Sequence, residues 1–138
     1  MSTSREKFRA LCRQSGISDD DYTTVPGDYE DTIAHEDRIG LPLPTDVAMS
    51  YINSDLYSST KIVLQFLSTR MKHGMIVALD DYFCYSASTL SGQRRACLEF
   101  LQNDARFHFS PFVQFGWHGM SFIVEDRAMH PSSDPGIL

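Results

Sequence analysis

Residues 46–82 read DVAMSYINSDLYSSTKIVLQFLSTRMKHGMIVALDDY, and their periodicity decides the fold. Val47, Ala48, Met49, Tyr51 and Ile52 make a nearly continuous apolar run, the pattern of a strand. Leu56, Thr60, Val63, Leu64, Leu67 and Met71 then recur at near-helical spacing, and Gly74 lies just past the predicted helix end. Met75-Ile76-Val77-Ala78-Leu79 follows without polar alternation, as strands covered on both faces do in parallel sheets. A strand–helix–strand unit of this kind predicts two parallel, adjacent strands with their carboxyl ends on one edge of the sheet.

Working outward, a second helix is expected over residues 91–102, with Leu98 and Leu101 on its inner side. Phe107 and Phe109 alternate with polar neighbours, and Met120, Phe122 and Val124 do the same, which predicts a closing antiparallel strand pair. Upstream, residues 4–15 read as a short amphipathic helix with Phe8, Leu11 and Cys12 on one face and Gly16 as its stop. Asp19-Asp20-Asp21 reads as a solvated loop, and residues 22–25 as a short strand closed by Pro26-Gly27. Gly40-Leu41-Pro42-Leu43-Pro44 excludes a helix interior and reads as an extended connection. The fold class expected is α/β, a mostly parallel sheet flanked by helices with the antiparallel closing pair. Residues 1–127 are expected to make one domain, with 128–138, which hold two prolines, as a frayed tail.

The composition sets outer bounds. The chain has 138 residues, 42% hydrophobic, 12% aromatic and 22% charged, which suits one globular domain. Twelve Lys and Arg against eighteen Asp and Glu leave 12 − 18 = −6, without the positive footprint of a general nucleic-acid binder. No apolar run approaches the ~20 residues that span a bilayer. The start is charged and has no signal-peptide core. Cys12, Cys84 and Cys97 show no CxxC spacing, an odd and scattered set that suits reduced thiols in a cytoplasmic protein.

Each apolar strand of the crossover unit runs into acid: Asn53-Ser54-Asp55 after the first, Asp80-Asp81 after the second. Three carboxylates at one sheet edge repel one another unless a cation joins them. Hard oxygen ligands suit Mg²⁺ or another divalent ion, which acidifies a bound hydroxyl. The alternative is that Asp55 caps the helix that follows and that Asp80 or Asp81 caps in its own loop.

Residues 51–60, YINSDLYSST, resemble the I-D-x-D-L-Y-x-S-T motif of the macrocin-type (TylF-like) S-adenosylmethionine-dependent sugar O-methyltransferases. Residues 74–82, GMIVALDDY, look like the family's G-G-hydrophobic-D-D-Y signature, and 25–33, VPGDYEDTI, are similar to its G-x-(F/Y)-x-D-T-L segment. Order and spacing agree, and the resemblance covers residues 4–125. It implies a Rossmann-like sheet and methyl transfer from S-adenosylmethionine to a sugar hydroxyl with the help of Mg²⁺ or another divalent ion. Asp55, Asp80 and Asp81 would then be the metal ligands. Asn53 stands where relatives carry the acid expected to act as base, and an amide cannot take a proton at neutral pH. The family's cofactor turn is glycine-rich, whereas the eight glycines here include no GxG. On this resemblance the chain corresponds to the C-terminal part of the family, a truncated class I methyltransferase fold whose first two strands are missing.

The remaining candidates are few. His118, in Gly116-Trp117-His118-Gly119, is the alternative base; the plainer reading is a turn histidine. Trp117, Phe112 and Phe115 read as hairpin core, or else as the wall of an acceptor pocket. His35, His73, His108 and His130 lack ligand spacing, and His73 sits where a helix C-terminus favours a cation. Cys97 is expected to be buried mid-helix, and Cys84 is the thiol nearest the acids. Three functions remain open: an O-methyltransferase acting on a small sugar-containing acceptor; a degenerate, non-catalytic domain that binds protein; and a metal-dependent glycan-binding module. The first strand has lost its family neighbour, so its edge is expected to recruit a second copy or a complementing chain.

Overall fold

The computed structural model describes residues 4–84 and 90–129. The chain divides into two compact units, Met1–Gly40 and Leu41–Leu138.

In the first unit, helix α1 (Arg5–Gln14) is capped by Ser4, whose Oγ accepts from the Lys7 N–H at 3.3 Å. Arg13 pairs with Asp19, and the Tyr22 hydroxyl donates to Asp19 Oδ1 at 3.0 Å. Phe8 meets Tyr22 edge to face, with ring centroids 5.6 Å apart. Asp20 and Asp21 are exposed, as a solvated run should be, and within it Asp19–Asp21 forms a 3₁₀ turn closed by a capping box between Ser18 and Asp21. The strand expected at residues 22–25 does not form. An extended segment needs a partner for its backbone groups to become a strand, and the four paired strands of the described residues do not include it.

The second unit holds the sheet. Strands β1 (Met49–Ile52), β2 (Ile76–Leu79), β3 (Phe107–Phe115) and β4 (Gly119–Asp126) lie in the order β1-β2-β4-β3. Helix α2 (Tyr57–Ser68) links β1 to β2, and helix α3 (Gly92–Asn103) precedes β3. β1 and β2 are parallel, with Met49 opposite Ile76 and Ile52 opposite Leu79. The other two pairings, β2 with β4 and β3 with β4, are antiparallel. The sheet is therefore α/β in composition but not mostly parallel. The apolar run of β2 has another cause: β2 is an inner strand, hydrogen-bonded on both sides, and Val77, Ala78 and Leu79 are all buried.

Cross-strand partners share a face, so Ile52, Leu79 and Met120 lie on the same side as Val77, Phe122, Phe109 and Val124. Leu64, Leu67 and Met71 from α2 and its following loop, with Ala96 and Cys97 from α3, complete one core against that face. The inner side of α3 is Gln93, Ala96 and Cys97. Leu98, expected there, is 41% exposed, while Leu101 packs at the rim of the core. On the opposite face Met49 and Tyr51 are half exposed. Glu99 fastens the helices to each other: it accepts from the Tyr57 phenol, pairs with Arg95 at 2.8 Å, and lies 3.7 Å from Lys61. The Tyr57 and Arg95 hydrogen bonds hold its carboxyl below the usual carboxylate range.

The closing hairpin is as the alternation predicts, except at its tip. Phe107 and Phe109 are buried, but Phe112 is exposed and Trp117 is 90% exposed, so neither belongs to the core. A β-bulge between Pro111 and Gln114 breaks the alternation there, and the Ser121 hydroxyl satisfies the Val113 N–H and C=O, at 3.2 and 2.9 Å. His73 lies beyond the end of α2 rather than in its last turn; its Nδ1 accepts from the Asp126 N–H at 3.3 Å. His130 and residues 131–138, the expected tail, lie outside the described residues.

Candidate functional site at the carboxyl ends of β1 and β2

The parallel pairing brings the ends of β1 and β2 to one edge of the sheet, with Asn53-Ser54-Asp55 leaving one strand and Asp80-Asp81 the other. The Asp80 N–H continues the ladder by donating to the Ile52 carbonyl at 3.0 Å. Asn53 and Asp55 are exposed, and Asp80 and Asp81 half-buried. Asp55 does not cap the helix that follows: the N-cap of α2 is Leu56, with no side-chain hydrogen bond. The loop is held instead from inside, where buried Ser54 and Thr60 share a hydroxyl–hydroxyl bond of 3.0 Å and Thr60 Oγ1 donates to the Leu56 carbonyl at 3.1 Å.

Tyr51 on β1 donates its phenol proton to Asp80 Oδ1. The hydrogen bond to Asp80 raises the phenol above its usual range, and desolvation and the charges of Asp80 and Asp81 add to the effect. The Tyr51 ring lies 6.0 Å from that of Phe115, centroid to centroid. Beyond Asp81, the Phe83 N–H donates to the His118 carbonyl at 2.8 Å and the Cys84 N–H to the Asp81 carbonyl at 3.0 Å. His118 thus sits with its backbone tied to this loop and its side chain exposed.

Gln93 was absent from the candidates read from the sequence. It is 1% exposed, and its carboxamide reaches both strand ends. Oε1 accepts from the Asp81 N–H at 3.0 Å, while Nε2 donates to the Ile52 and Ser54 carbonyls at 3.2 and 3.1 Å. The only signal in the sequence was an amide on the apolar side of a predicted helix, and an amide alone does not name its partners.

The chemistry of the acids suits a hard cation, but their placement falls short of a ligand set. Among the described residues no group of three His, Cys, Asp or Glu side chains is gathered to hold a metal ion, so Asp55, Asp80 and Asp81 share an edge without forming a cage. Among the described residues no glycine cradle for a nucleoside cofactor stands at this edge. The connection from β1 to α2 is Asn53-Ser54-Asp55-Leu56, and the left-handed glycines Gly16, Gly27, Gly40, Gly74, Gly92 and Gly116 lie elsewhere. The described residues therefore do not fit S-adenosylmethionine in the manner of a glycine-rich turn. A groove of about 510 Å³ between α2 and α3, lined by Lys61, Gln65, Glu99, Phe100, Asn103 and Arg106 among others, shares no residue with the strand ends. No described helix is long and apolar enough to cross a membrane.

The arrangement is that of a mixed α/β domain, a four-stranded sheet with helices packed on it. The structure is similar to that of the O-methyltransferase NovP, with a TM-score of 0.68 and 22% identity, over 88% of this chain and 45% of that one. The chain thus spans less than half the length of this solved relative. The macrocin-O-methyltransferase (TylF) family matches residues 1–106, and the chain belongs to that family. No curated protein matches the chain.

Proposed function

We propose that the chain serves S-adenosylmethionine-dependent O-methyl transfer to a small, sugar-containing acceptor, supplying the acceptor-side edge of the sheet rather than the cofactor cradle. The single observation that carries this reading is membership of the TylF family through the stretch that contains both acidic strand ends. Bound S-adenosylmethionine would supply the electrophilic methyl group. The residues of this chain proposed at the acceptor are Asp55, Asp80 and Asp81, closing on Mg²⁺ or another divalent ion, with Asn53 at the vacant base position and His118 as substitute base. The setting proposed is cytoplasmic, with residues 1–127 working as one domain.

The experiment combines the chain with the cofactor-binding half of a TylF-family enzyme, methyl-labelled S-adenosylmethionine, Mg²⁺ and a panel of glycosides. Label transferred to a glycoside by the mixture, and by neither component alone, is the expected result. No transfer, with both components folded, favours the other reading, a non-catalytic methyltransferase-like domain that binds protein or glycan. Asn53 and the missing glycine turn support that second reading.

The edge of β1 supports a proposal about partners. Its outer side has no strand beside it in the described chain, and an unpaired edge recruits another strand. A second copy or a complementing chain is the proposed occupant. Light scattering that finds a monomer across a hundredfold range of concentration removes this proposal.

A further inference from the structure

We infer that Gln93 is the positioning residue of the strand-end site: its buried carboxamide sets the 53–55 loop against the Asp80-Asp81 turn. The inference rests on that edge being the functional one. The geometry is unusually complete for one side chain. One acceptor and two donors of a single planar group reach backbone atoms of Asp81, Ile52 and Ser54, positions 39 and 41 residues distant in the case of the two carbonyls. The Ile52 carbonyl also accepts from the Asp80 N–H, so it has a second donor, whereas among the described residues the Ser54 carbonyl and the Asp81 N–H meet the amide.

Gln93 is next to fully buried and lies on the same helix face as Ala96 and Cys97, which belong to the core. A core helix therefore transmits its position to both loops through one planar group. Asn53 and Asp55 flank a backbone carbonyl that Gln93 holds, and Asp81 carries the N–H that it accepts. Side chains at these positions inherit their spacing from the carboxamide. An apolar residue there would leave the Asp81 N–H and the Ser54 carbonyl to find water or move, and a buried unmet polar group is costly. A carboxylate there would keep the acceptor for Asp81 but turn lone pairs towards two carbonyls.

The test uses the full chain with Gln93→Met and Gln93→Glu. Amide exchange is followed at Asp81 and in residues 53–55, with Val77 and Leu79 as internal controls in the core. In Gln93→Met, exchange at Asp81 and in the loop is expected to rise tenfold or more while Val77 and Leu79 keep their protection. In Gln93→Glu, burial raises the carboxyl pKa, and the protonated acid restores one donor alongside the acceptor. The ratio of exchange in the variant to that in the parent at the same pH should then be near one at low pH and grow as the acid ionises, a change in protection that packing alone does not produce. If both variants match the parent at Asp81 at every pH, or if Val77 and Leu79 lose protection equally, the inference fails. Should Gln93→Met not fold, protection lost at Asp81 and in residues 53–55 of Gln93→Glu at neutral pH, with Val77 and Leu79 unchanged, decides.

Mn²⁺ titration separates this inference from the ion proposal. Paramagnetic broadening of amides near Asp55, Asp80 and Asp81 is expected in the parent, with affinity about tenfold weaker in Gln93→Met, as outer-shell supports of metal sites behave. Broadening that is absent in the parent defeats the ion proposal and leaves Gln93 to be judged by exchange. Broadening that is equal in parent and variant counts against Gln93.

Discussion

Tyr51 and Asp80 are joined across the parallel strand pair: the phenol on β1 donates to the carboxylate that begins just beyond the end of β2. One oxygen of the proposed ion ligand is thereby engaged by a residue of the neighbouring strand, and the edge has an ordered polar contact before any ligand arrives.

That contact has a pH signature. Hydrogen bonding to Asp80 raises the phenol above its usual value near 10. A raised folded-state pKa means that the contact's stabilisation is whole below the unfolded phenol's pKa and is lost as pH climbs through the folded one. Hydrogen bonds to charged groups contribute about 1.5–3 kcal/mol, and the exposure of this pair reduces that to under about 1 kcal/mol. Tyr51→Phe should therefore cost less than about 1 kcal/mol at pH 7 in urea unfolding, with the difference closing in strong alkali. A near-ultraviolet titration should also lose one late-titrating phenol.

Two leucines of similar sequence context should part company in stability. Leu64 is fully buried in the core, and Leu98 is 41% exposed on α3. Leu64→Ala is expected to cost about 2–5 kcal/mol through lost burial and a cavity. Leu98→Ala should stay below about 1 kcal/mol. Equal losses in denaturant midpoint would place Leu98 in the core after all.

Cys97 is buried, and burial pushes its thiol up to about 12. It should be inert to thiol reagents in the folded chain, whereas half-buried Cys12 and Cys84 react first. The sign again follows from a raised pKa: the folded state loses relative stability as pH rises past the unfolded thiol's value, because the buried thiol cannot ionise with the exposed one. Mass spectrometry of timed alkylation, native against unfolded, checks the order.

Divalent ions should raise the melting temperature if Asp55, Asp80 and Asp81 close on them. Ion at ten times its dissociation constant adds about 1.4 kcal/mol, or a shift of roughly 3–8 °C for a chain of this size. Asp80→Asn should remove most of the shift, and Asp20→Asn, in the other unit, should leave it whole. The same shift in all three proteins would show that the acids do not act as a ligand set.

Periodicity alone placed α1, α2, α3 and the four strands within a few residues of where they lie, because alternation and helical spacing record which side of each segment meets apolar surroundings. The strand ends and their acids were legible for the same reason: a contiguous motif needs no tertiary contact to be seen. Tertiary structure decided the rest. It set antiparallel β4, not a further parallel strand, beside β2; it left residues 22–25 without a strand partner; and it put Trp117 in solvent at the tip of a bulged hairpin. It also made Gln93 the tie between two strand ends, with partners up to 41 residues away. The physical division is between local and distant interactions. A residue's spacing states its need for burial or for a polar partner, while the identity of that neighbour is settled only when segments far apart in the chain compete for the same place.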